Sequence, residues 1–105
     1  MLDKANVRKI AYDYSVEVTK ALKPDKIVLF GSYVNGDPHN DSDIDIAVFV
    51  HGLDDTAWYD ARIALQKILW HRDFRSIEPH LLDITRDRSG FAAHIDKTGE
   101  TIYPL

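Results

Sequence analysis

The rhythm of apolar residues changes along this chain, and each rhythm fits one kind of element. Between positions 3 and 22, Val7, Ile10, Ala11, Tyr14, Val18, Ala21 and Leu22 recur at the three- and four-residue spacing of an amphipathic helix. Lys23-Pro24 stops it, because the residue before a proline is driven out of the helical region. Lys26 to Phe30 is a short β-branched and apolar run, Ile44 to Val50 is another, and both read as strands. Helical spacing returns from 56 to 71 in Trp58, Ala61, Leu65, Ile68 and Leu69, with Asp54 or Asp55 available as cap; Trp58 and Trp70 read as packing residues. Ile77 to Ile84 then predicts a third strand, 87 to 97 a short helix ended by Gly99, and Thr101 to Tyr103 an edge strand. This order specifies an α+β fold, a small mixed β-sheet covered by helices. A thin sheet covered mainly on one side would leave an apolar face, so association with a partner or a homo-oligomer is expected.

Composition narrows the picture. With 105 residues, 45% of them hydrophobic, the expectation is one globular domain over 1–105 with a modest core. There is no apolar run of membrane-spanning length and no basic, apolar leader, so neither insertion nor export is expected, and the expected place is the cytoplasm. Zero cysteines exclude disulfides and thiolate metal sites, leaving oxygen and imidazole as donors, a set that suits magnesium better than zinc. A net charge of −4 lacks the clustered Lys and Arg needed to bind long nucleic acid.

The richest segment lies between the first two strands. Gly31-Ser32 closes the first strand, ten residues follow, and Asp43-Ile44-Asp45 opens the second. A glycine there lets the backbone come close to a bound group, and a serine hydroxyl with nearby N–H groups can face a phosphate. Side chains alternate along a strand, so Asp43 and Asp45 project from one face, where they could hold a hard cation, while Ile44 and Ile46 point into a core. A solvated hairpin loop would share the turn formers of Gly36-Asp37-Pro38-His39-Asn40, but not the strict alternation from Asp43 to Ile46.

These residues resemble the signature of the minimal nucleotidyltransferases, small members of the DNA polymerase β-like superfamily: Gly-Ser, a spacer of this length, then Asp-x-Asp. Gly31, Ser32, Gly36, Ser42, Asp43 and Asp45 fall where the signature wants them, and the order of elements matches over nearly the whole chain. The resemblance implies a polymerase β-like fold and magnesium-dependent transfer of AMP from ATP to a hydroxyl. It implies magnesium ions, expected as a pair, on Asp43, Asp45 and a third acid on a following strand. Glu78 is the first candidate for that acid and Asp83, of opposite strand parity, the second. Gly31, Ser32, Gly36 and Ser42 would contact the nucleotide. Pro79 cannot donate to a ladder, which places Glu78 on an edge or at the start of a strand.

Relatives of this size are often encoded beside a HEPN-domain toxin, and the resemblance implies transfer to a tyrosine of such a partner, an antitoxin role. Asn35 stands where many relatives carry a basic residue before Gly36. A second reading follows: a weak or inactive module that binds a nucleotide or a partner and neutralises a toxin by binding alone. The five histidines form no His-x-x-x-His pair on a predicted helix; His80 alone shares parity with Glu78 and could border an acceptor pocket.

Overall fold

A computed structural model describes residues 4–35, 43–71, 74–87 and 89–104. Its elements run α1 (Lys4–Ala21), β1 (Lys26–Phe30), α2 (Ser32–Asn35), β2 (Ile44–Val50), α3 (Asp55–Ile68), β3 (Ile77–Asp83), α4 (Phe91–Thr98) and β4 (Glu100–Tyr103). The strands form one mixed sheet in the order β3-β2-β1-β4. β1 is antiparallel to both β2 and β4, whereas β2 and β3, joined through α3, run parallel. The sheet and its helices are the expected α+β architecture, and β3 is an edge strand, as Pro79 requires.

β2 is buried along almost its whole length because both of its faces are covered. Ile44, Ile46, Val48 and Val50 face the larger core, built with Val7, Ala11, Tyr14 and Val18 of α1 and Leu65 of α3. The Tyr14 hydroxyl donates to the carbonyl of Leu65 at 3.0 Å and its ring meets Phe74 edge-on, tying α1 to α3 and to the turn before β3. On the other face Val28, Ala47 and Phe49 are buried against Ala92 and Ile95 of α4. The apolar face anticipated from the sequence is thus covered by the chain itself: α4 folds back on it, held by the Lys26–Asp96 ion pair and by Gly99. A Cβ on Gly99 would collide with Val28 and come within 2.9 Å of the Leu29 carbonyl, so only glycine lets α4 turn directly into β4.

Other departures have local causes. α2 is a single turn, too short to show a period. α4 starts at Phe91 rather than 87 because Asp87 closes the turn before it, accepting from Ser89 and from the Ala92 N–H at 2.7 Å. α3 is capped by Asp54, which accepts from the Ala57 N–H at 2.8 Å. Trp58 packs against the larger core, but Trp70, expected to do the same, is 82% exposed just beyond α3.

Candidate active site

One row across the sheet places the chemistry. Phe30 at the end of β1 is paired with Asp45, and Asp45 with Glu78 of β3, so the three side chains stand side by side on the α4 face. Asp45 is the one charged residue in β2, and it shares its face with Ala47 and Phe49. His80, two residues past Glu78 on the same face, brings Nε2 to 3.4 Å from Asp45 Oδ1 and 3.9 Å from Glu78 Oε1. Phe30 braces the imidazole edge-on with ring centroids 5.1 Å apart, and Phe91 of α4 braces Phe30 in turn. The hydrogen bond to Asp45 raises the pKa of His80; partial burial opposes this, and the charges of Asp45 and Glu78 add to it.

Gly31 completes the enclosure. It sits at φ +86°, a region that side-chain-bearing residues avoid, and a Cβ there would overlap Asp45 Oδ2 and lie 3.1 Å from its Cγ. Ser32 follows, half-buried, as the first residue of α2. The Val34 N–H donates to the Gly31 carbonyl at 3.1 Å, which fixes the turn.

Asp45, Glu78 and His80 each offer one ligand atom, and these atoms lie within 4.8 Å of one another. Two carboxylates and an imidazole suit a divalent cation, and the close approach allowed by Gly31 holds one of them in place. The structure brings Glu78 to Asp45, while Asp83 lies at the far end of β3 on the opposite face, occupied by Thr85 and Arg86. Asp43 precedes β2, is exposed, and is not in the three-residue group. Asp43 lies one residue before Ile44, the first paired residue of β2, whose N–H donates to the Ser76 carbonyl at 2.7 Å. Gly36 and Ser42 lie outside the described residues. His80 joins the group although the expected donors were carboxylates alone; its parity with Glu78 is the signal for it.

Among the described residues no helix is long and apolar enough to cross a membrane. The model of the family described as "Polymerase beta, Nucleotidyltransferase" matches residues 15–104, and the chain belongs to that family, whose members are nucleotidyltransferases. No curated protein matches it. Among solved structures, a protein of Sulfolobus solfataricus assigned as a nucleotidyltransferase is similar over 93% of this chain and 80% of its own, with a TM-score of 0.67 at 20% identity. A toxin–antitoxin structure with AMP-PNP is 26% identical, with a TM-score of 0.59 over 90% of this chain and 73% of that one. A mutant of the toxin–antitoxin MntA–HpeT is 24% identical, with a TM-score of 0.51 over 99% and 75% of the two chains. At their identities the first and the last of these show the fold alone.

Proposed function

We propose that this chain transfers AMP from ATP to a hydroxyl of a partner toxin, a tyrosine of a HEPN-type protein, and so acts as its antitoxin in the cytoplasm. The observation that carries the reading is the Asp45–Glu78 pair, set side by side by the β2–β3 register with His80 beside it. The likeness to a toxin–antitoxin structure with AMP-PNP supports the nucleotide and the kind of partner.

Asp45 and Glu78, joined by Asp43 just before β2, would hold magnesium through carboxylate oxygens, with His80 beside them on the acceptor side. The cation would offset the negative charge on the phosphates as it develops. Gly31 and Ser32, with Gly36 and Ser42, receive the phosphates. Glu78, at the open edge of the sheet, faces the acceptor. The acceptor oxygen bonds to the α-phosphorus, the bond from that phosphorus to the bridging oxygen breaks, pyrophosphate leaves, and the hydroxyl proton passes to Glu78.

The test is incubation with magnesium, ATP labelled at the α-phosphate and a HEPN-type toxin from the same source, followed by peptide mapping. Label on a toxin tyrosine is expected from the wild type and not from Asp45→Asn or Glu78→Gln. Asn35, in place of a basic residue near the phosphates, favours a second reading, neutralisation by binding alone. Toxin that stays unlabelled yet inhibited by both wild type and Asp45→Asn would replace the first reading with the second.

A further inference from the structure

α3 carries two apolar faces, and the fold uses only one. Ala61 and Leu65 are buried in the domain, with Trp58 and Ile68 partly buried beside them. The opposite face exposes Tyr59 at 64%, Ile63 at 36% and Trp70 at 82%. Trp70 lies two residues past α3 in the tighter turn that ends it, its N–H donating to the Lys67 carbonyl at 3.1 Å. Thr56, Tyr59, Ile63, Gln66 and Trp70 follow one another at intervals of three, four, three and four, the spacing by which one helix forms a seam with another. A surface helix that needed only to cover its own core would put polar residues there.

The charges beside this seam choose the occupant. Asp60 and Lys67 lie on the same flank, seven residues apart, and neither makes an ion pair among the described residues. If a second α3 crosses antiparallel about a two-fold axis between Ile63 and Gln66, Asp60 of each copy meets Lys67 of the other, and Tyr59 stacks on Trp70. A parallel crossing would instead set Arg62 against Lys67, like charge against like.

We propose that the outer face of α3 is a self-association surface that pairs two copies of this chain, antiparallel, through the Tyr59–Ile63–Trp70 stripe and two reciprocal Asp60–Lys67 ion pairs. The fourteen residues of α3 span only ~21 Å. The buried area therefore falls at the low end of stable interfaces, about 1,000 Å² in total.

Sedimentation equilibrium over a micromolar concentration series tests this independently of catalysis. The wild type dimerises and Trp70→Ala shifts it to monomer. Asp60→Lys or Lys67→Asp alone weakens the dimer about tenfold, and the two reversals combined restore it. Circular dichroism on each variant confirms the fold, which these exposed positions leave intact. A monomeric wild type would overturn the proposal and leave the stripe to a different protein, and so would a dimer indifferent to both charge reversals.

Discussion

Gly31 and Asp45 share one space: the carboxylate of the second fills the volume that a side chain on the first would need. Gly31→Ala therefore combines a left-handed backbone, costing roughly 1–2 kcal/mol for a non-glycine residue, with a collision at the candidate metal site. Urea unfolding with and without a divalent cation should show a loss of about 2 kcal/mol or more, together with loss of the cation's stabilising effect.

Like charges gathered at Asp45 and Glu78 repel until a cation lies between them. Magnesium or manganese at about a hundred times its Kd should stabilise the wild type by about 2.7 kcal/mol. Asp45→Asn and Glu78→Gln should abolish that gain in thermal scans while leaving the metal-free protein as stable or more so. Asp83→Asn, at the far end of β3, should retain the full response. Loss of the response in Asp83→Asn would exchange the roles of the two acids.

Asp83 has a structural part instead. Its Oδ1 accepts from the Thr85 hydroxyl at 2.5 Å and the Thr85 N–H at 2.9 Å, with Arg86 nearby. The Thr85 hydroxyl above all holds its pKa below the ordinary 3.8, burial opposing and the Thr85 N–H and Arg86 assisting. A lowered carboxyl stabilises the fold above its unfolded pKa and loses that contribution as pH falls through the folded value. The stability difference between wild type and Asp83→Asn should be constant near neutrality and shrink below pH 3.8.

Removing the Tyr14 hydroxyl tests the tie between α1 and α3. Tyr14→Phe keeps the ring against Phe74 and loses the bond to Leu65. Denaturation should show a cost of about 1 kcal/mol, with cation binding unchanged.

The sequence disclosed most of the sheet because its strands are short, β-branched runs, and β2 is so apolar that Asp45 stands out within it. Parity along β3 set Glu78 and His80 on one face and Asp83 on the other, but the register that brings that face beside Asp45 belongs to the β2–β3 pairing. The sequence could not show what packs on what. The docking of α4 over Val28, Ala47 and Phe49 depends on the Gly99 turn, which periodicity does not register. Helical spacing turns Trp58, Ala61 and Leu65 inward, whereas Trp70, expected to pack as well, lies past the end of α3 on the opposite side and is exposed. His80 reached the site through the strand register, a relation between strands that the sequence does not carry.

The parallel joining of β2 and β3 also has a kinetic consequence. Asp45 and Glu78 are separated along the chain by the whole of α3, so the pair exists only after that crossover has closed, and such non-local contacts form late. A cation that bridges them meets its ligands after the folding barrier has been passed. Bound cation should slow unfolding and leave the refolding rate unchanged, so that the candidate metal site acts as a latch on a chain already folded.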